Sequence, residues 1–174
     1  ELWTGATLQN PWVPIVKGAQ PAQFMLITDA SRMGWAGVLI STKGGQTTVV
    51  SARWPEALDD VVRHSSYAEP LALLCSCRAL FKPGVRLQVR HFTDNKGTMH
   101  MVGRGYSTKP NQHVMHQLSV EFPRIRFTSE YIPGEEIVAD DPSRNVGGGI
   151  EAWKLDKFVS AHASELAAPS ALGT

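Results

Sequence analysis

The chain has 174 residues, of which 43% are hydrophobic and 19% charged, the proportions of an ordinary soluble globular protein with one domain and its own core. Its formal net charge is +1, so no global basic field marks it for nucleic acid, and any such surface must be local. No apolar run approaches the roughly 20 residues of a membrane span. The two cysteines, Cys75 and Cys77, stand at an i,i+2 spacing that points them apart on a helix, which predicts reduced thiols in an intracellular protein. The start, Glu1-Leu2-Trp3, has neither a methionine nor a signal pattern, and we expect a fragment of a larger polypeptide.

Residues 1–23 carry Pro11, Pro14 and Pro21 and read as an extended leader. Phe24 to Asp29 is a short apolar run ending in a carboxylate, and Phe24 to Ile27 reads as a buried central strand. After a turn at Ser31-Arg32-Met33-Gly34, Trp35 to Ser41 predicts a second strand. Lys43-Gly44-Gly45-Gln46 turns into a third, Thr47 to Trp54, rich in β-branched residues. A polar loop, 55–64, leads to a helix that opens at Ser66-Tyr67-Ala68-Glu69 and stops at Lys82-Pro83-Gly84. Arg86 to Phe92 alternates as a strand before Thr93-Asp94. Asn95 to Val102 predicts a short helix, broken by Gly103-Arg104-Gly105, and Gln112 to Phe122 a longer one. Arg126 to Ile132 is the fifth strand. A short helix around 137–144 follows, then a Gly147-Gly148-Gly149 hinge and an amphipathic helix from Ile150 to about Leu166, with a flexible tail to 174. The order gives an α/β domain over 24–145: one five-stranded mixed sheet, three antiparallel strands then two parallel additions, flanked by helices.

Four carboxylates end or begin these elements: Asp29, Glu69, Asp94 and Asp140. If the first and fourth strands are neighbours, Asp29 and Asp94 sit side by side, and gathering like charges costs free energy unless a cation offsets it. Two divalent metals held by such hard oxygen ligands supply charge neutralisation and an activated water for phosphodiester hydrolysis. Each carboxylate alone has a local alternative. Asp29 can form a turn. Glu69 can close a capping box with Ser66. Asp94 can cap a helix. Asp140 and Asp141 can be a solvated pair at a helix N-terminus.

Together the motifs resemble the ribonuclease H family in its retroelement form. Thr28-Asp29-Ala30-Ser31-Arg32-Met33-Gly34-Trp35 resembles the first motif, Ser66-Tyr67-Ala68-Glu69-Pro70-Leu71 the glutamate helix, and Phe92-Thr93-Asp94-Asn95 the third motif. Tyr131-Ile132-Pro133-Gly134 through Ala139-Asp140-Asp141-Pro142-Ser143-Arg144 resembles the ending of retrotransposon ribonuclease H domains. The forms look most like DIRS-type elements, the group of Ngaro and VIPER. The resemblance implies a ribonuclease H-like fold and an endonuclease that cuts the RNA strand of an RNA–DNA hybrid, leaving a 5′ phosphate, during reverse transcription. It implies two Mg2+ ions, with Mn2+ able to substitute, and a covalently linked reverse transcriptase domain. Asp29 would bridge both ions, Asp140 (Asp141 as the fallback) would hold the ion that activates water, and Glu69 and Asp94 the other. The alternative is a catalytically silent module of the same fold.

Three departures stand out. Pro70 follows Glu69, which predicts a helix that starts later or a displaced carboxylate. Asp140-Asp141 is doubled, and Glu136 replaces the pattern's asparagine. The loop before Asp140 has no histidine, and the His113–His116 pair lies on a predicted helix that reads as a solvated face. For substrate we expect Asn95, Lys96, His100, Arg104, Lys109 and His113 to track the DNA strand's phosphates, although a solvated loop has the same composition.

Overall fold

A computed structural model describes residues 21–107 and 111–166. The leader up to residue 20, Lys109 and the tail from 167 lie outside the described residues. Strands β1 (Phe24–Ala30), β2 (Gly34–Ser41), β3 (Thr47–Arg53), β4 (Leu87–Thr93) and β5 (Ile125–Tyr131) form one sheet in the order β3-β2-β1-β4-β5. β1 pairs antiparallel with β2 and parallel with β4; β2–β3 is antiparallel and β4–β5 parallel. This is the mixed sheet expected of the ribonuclease H-like fold.

The sheet is covered on both faces, and β1 shows why its sequence is almost continuously apolar. Leu26 packs with Leu73, Leu74, Val89, Val114 and Leu118, on the side of helices α2 (Ser65–Leu80), α3 (Lys96–Arg104) and α4 (Gln112–Glu121). Met25 and Ile27 pack the other way, with Val38, Ile40, Phe92, Ile137, Val138 and Phe158. This second layer is closed by helices α5 (Asp140–Arg144), α6 (Ala152–Ala161) and α7 (Ala163–Leu166). Met25, Leu26 and Ile27 are fully buried, each contributing about 1.5–3 kcal/mol relative to exposure. A polar strut crosses strands β1, β4 and β5: His91 shares hydrogen bonds of 2.8 Å with the hydroxyls of Thr28 and Ser129. Burial pushes the His91 imidazole down to about 3, so it is neutral there.

Differences from the sequence reading have local causes. The polar loop at 55–64 holds a 3-10 turn, Glu56–Leu58, and a one-turn helix α1 (Asp59–Val62), because Val62 is buried beside Trp54 and Ala68. Helix α3 runs through Gly103 and ends at Gly105, whose φ of 73° is the left-handed conformation that glycine takes without strain. The C-terminal helix is two helices, α6 and α7, broken at His162. Both cysteines are free thiols on α2. No helix among the described residues is long and apolar enough to cross a membrane.

Candidate active site

The sheet register places the first two carboxylates. The β1–β4 ladder pairs Ile27 with Phe92, so two residues further along each parallel strand stand Asp29 and Asp94. Both lie at the carboxyl ends of neighbouring strands, where α/β sheets commonly bind ligands. Helix α2 packs on β1 and β2 and brings Glu69 to the same edge. Ligand oxygens of Asp29, Glu69 and Asp94 come within 4.8 Å of one another. Asp29, Glu69, Asp94, Asn95, Asp140 and Arg144 line one open cleft of about 520 Å3.

For Asp29 and Asp94 a neighbour performs the local task that the carboxylate was a candidate for. The β1–β2 turn is held by Ser31, whose hydroxyl accepts from the amides of Met33 and Gly34. Helix α3 is capped by Asn95, which accepts from Thr98 N at 2.9 Å. Helix α2 begins at Ser65 with no side-chain cap, so Glu69 is not part of a capping box. Its Oε1 accepts from Ala30 N at 3.2 Å instead, and its Oε2 is buried with no hydrogen-bond partner.

Pro70 does not displace Glu69. It sits inside α2, past the first turn, where its missing amide leaves the Ser66 carbonyl without its helical donor. Asn111 fills the gap: its side-chain amide donates to Ser66 O at 2.7 Å. The helix therefore continues through the proline, and Glu69 stays at the cleft.

The doubled aspartates separate cleanly. Asp140 faces the cleft, while Asp141 does not line it. Asp140 Oδ1 accepts from Arg144 Nε at 2.6 Å, and its Oδ2 lies 3.7 Å from Lys154 Nζ on α6. Its oxygens stand outside the tight group formed by the other three. Asp141 Oδ2 is buried, 3.6 Å from the same ammonium.

Electrostatics follow from this crowding. Burial, the neighbouring Asp29 and then Asp94 push Glu69 up to about 9. Asp29 is pushed up to about 6 by burial, opposed by a hydrogen bond from Ser143 and reinforced by Asp94 and Asp140. Asp94 is raised by burial and then by Asp140. The cluster is thus short of positive charge, and the unpartnered Glu69 Oε2 offers a hard oxygen ligand to a divalent cation.

Sequence reasoning missed three residues that shape the site. Buried Ser143 donates to Asp29 Oδ2 at 2.6 Å, and its hydroxyl oxygen also lies 2.8 Å from the Asp140 carbonyl, tying α5 to β1. Arg144, four residues past Asp140, was readable as an i,i+4 ion pair. The link of Lys154 to Asp140 and Asp141 has no sequence signal, because those partners precede it across a glycine-bearing turn. Of the expected substrate residues, Lys96, His100 and Arg104 form one exposed row at i, i+4, i+8 on α3, with Lys96 also 5.3 Å from the Tyr131 ring centre. His113 and His116 are exposed on α4.

No protein-family model and no curated protein matches the sequence. Among solved structures, the chain is similar to LC11-RNase H1 in complex with an RNA/DNA hybrid, at 17% identity and a TM-score of 0.47, covering 68% of this chain and 91% of that one. It is similar to RNase H1 from Halobacterium salinarum at 16% identity and a TM-score of 0.47, covering 70% and 97%. A foamy viral protease-reverse transcriptase in complex with dsDNA overlaps 66% of this chain and 25% of its own length, at 11% identity and a TM-score of 0.39. None of these three overlaps reaches a TM-score of 0.5, so the case for function rests on the geometry of the cleft.

Proposed function

We propose that this chain is a ribonuclease H, an endonuclease that hydrolyses the RNA strand of RNA–DNA hybrids and leaves a 5′ phosphate, acting in reverse transcription of a retroelement of DIRS type. The observation that carries this reading is the convergence of Asp29, Glu69 and Asp94 within 4.8 Å, with a buried, unpartnered Glu69 oxygen among them. In a catalytically silent module, such a group would lower stability with nothing gained.

Asp29, Glu69, Asp94 and Asp140 are the residues that would hold two divalent ions. The chemistry that bound Mg2+ (or Mn2+ in its place) would supply there is neutralisation of the phosphate and activation of the attacking water. The protein's own part is placement. The sheet register fixes Asp29 beside Asp94, Ser143 orients Asp29, and Arg144 holds one oxygen of Asp140. Asn95 sits at the cleft wall, and the exposed row of Lys96, His100 and Arg104 offers charge to the DNA strand's phosphates. Lys109, outside the described residues, is added to the substrate-binding set on its sequence alone. Hybrid is then recognised by its shape and by RNA 2′-hydroxyls. With a net charge of only +1, a covalently linked reverse transcriptase domain would supply much of the grip, inside the cell. In this reading 24–145 is the catalytic domain, 1–23 a leader and 146–174 an extension.

The test is incubation with an end-labelled hybrid and Mg2+ or Mn2+, beside an Asp94→Asn variant. Wild-type cleavage of the RNA strand only, lost in the variant, is the expected result. No cleavage, or cleavage indifferent to the substitution, would sink the enzymatic reading.

A further inference from the structure

Lys154 belongs to α6, beyond the segment that resembles ribonuclease H, yet its side chain is only 7% exposed. Its ammonium lies 3.7 Å from Asp140 Oδ2, 3.6 Å from Asp141 Oδ2 and 3.5 Å from Glu151 Oε1. A buried ammonium persists only where carboxylates compensate it. Its position is not set by those carboxylates alone, because α6 and α7 are anchored elsewhere. Phe158 meets Phe92, two residues before Asp94, edge-to-face at 4.9 Å. Lys157 bonds Glu136 at 2.7 Å, on the loop that leads to Asp140, and Glu165 of α7 pairs with Arg90 of β4.

We propose that Lys154 is a positioning residue for Asp140, which makes the C-terminal helix α6 part of the active site. The proposal rests on the ribonuclease H reading for its kinetic consequence, and on geometry alone for its effect on cation binding. Arg144 is 66% exposed, so its hold on Asp140 Oδ1 is a surface pairing that solvent weakens. Lys154 acts on the other oxygen from a buried, fixed point. At 3.7 Å it attracts Oδ2 without making a hydrogen bond, which leaves that oxygen's lone pairs for a cation in the cleft. It also draws Asp141 to the α6 side, which separates the doubled aspartates into one cleft residue and one anchor. Without the ammonium, Asp140, Asp141 and Glu151 repel one another, and Asp140 turns toward Arg144.

The experiment compares the full chain with Lys154→Met, Lys154→Arg and the double variant Asp141→Asn/Lys154→Met. Three quantities are read: kcat and KM on a hybrid with Mg2+, Mn2+ affinity by electron paramagnetic resonance of the free ion, and the melting temperature. Outer-shell partners of metal sites are worth about 10- to 100-fold in affinity or activity. Lys154→Met should therefore lower kcat and weaken Mn2+ binding by about that range, with KM for the hybrid little changed. Lys154→Arg should recover most of both. The double variant removes a buried cation and a buried anion together, so it should regain stability but not kcat. Recovery of kcat in the double variant would show that the lysine only supports the fold and would overturn the proposal. Tighter Mn2+ binding in Lys154→Met would overturn it too, since the lysine would then be a competitor for the carboxylate. If the wild type does not cleave hybrid, the ribonuclease reading fails while the Mn2+ comparison still decides the role of Lys154. A wild type that binds no Mn2+ overturns both.

Discussion

At one end of the cleft, Asp29, Glu69 and Asp94 crowd together with no salt bridge to any of them among the described residues. At the other end, Asp140 and Asp141 meet Arg144 and Lys154 within ion-pair distance. The same problem, like charges held close, is handled in two ways. The second group carries its own counter-ions and gains a fixed shape. The first group leaves its charge open, so protons fill the deficit in the metal-free chain and cations can fill it otherwise. A protein with a stability of roughly 5–15 kcal/mol tolerates only a few such uncompensated groups. This is why the open end, rather than the compensated one, points to the chemistry.

The largest effect is expected of Glu69→Gln. It removes a ligand, so hybrid cleavage should fall by more than the roughly 100-fold expected for outer-shell partners. It also removes the cost of protonating Glu69 on folding at neutral pH, so the metal-free chain should melt a few degrees higher there. The pH dependence supplies the sign. Glu69 rises from 4.5 to about 9 on folding, so between those values the folded state holds a proton that the unfolded state has lost. Stability should be greatest below pH 4.5 as far as this group is concerned, and fall as pH rises toward 9. Thermal melts without metal should show that decline, Mg2+ should reverse it most at the alkaline end, and Glu69→Gln should flatten it. A metal-free melt that rises steadily from pH 5 to 9 would contradict the open-charge account.

A smaller effect tests the seam between the two ends. Ser143 is fully buried and its hydroxyl reaches both Asp29 and the Asp140 carbonyl. Ser143→Ala should cost about 1–3 kcal/mol by chemical denaturation, the usual penalty for leaving a buried acceptor unpaired. Activity should fall as well, and Mg2+ should restore part of the lost stability by replacing the missing partner of Asp29. Equal stability of variant and wild type would mean the two ends are not coupled through Ser143.

The smallest expected effect lies outside both ends. Lys96→Ala/Arg104→Ala should raise KM for hybrid with kcat nearly unchanged. If each side chain neutralises one phosphate, the log-log salt dependence of binding should become shallower by about 0.9 per residue removed. An unchanged salt slope would return this row of α3 to the role of a solvated face.

Much of this was open to reading in the chain itself. The apolar run at 24–27, the β-branched run 47–54 and the Gly-bearing turns are local patterns, and they determined the five strands along the chain. Carboxylates placed at element ends determined the candidates Asp29, Glu69, Asp94 and Asp140. Tertiary structure decided which of those candidates are free. Whether Glu69 caps its helix or faces the cleft depends on Ala30 N, 39 residues away, and the effect of Pro70 depends on Asn111, 45 residues from the carbonyl it satisfies. Asp140 lines the cleft and Asp141 does not, and both lie within ion-pair distance of Lys154, which no motif reaches. Periodicity reports which face of an element is buried, because burial repeats along the element. The partner of a single polar atom does not repeat, so only the folded chain assigns it.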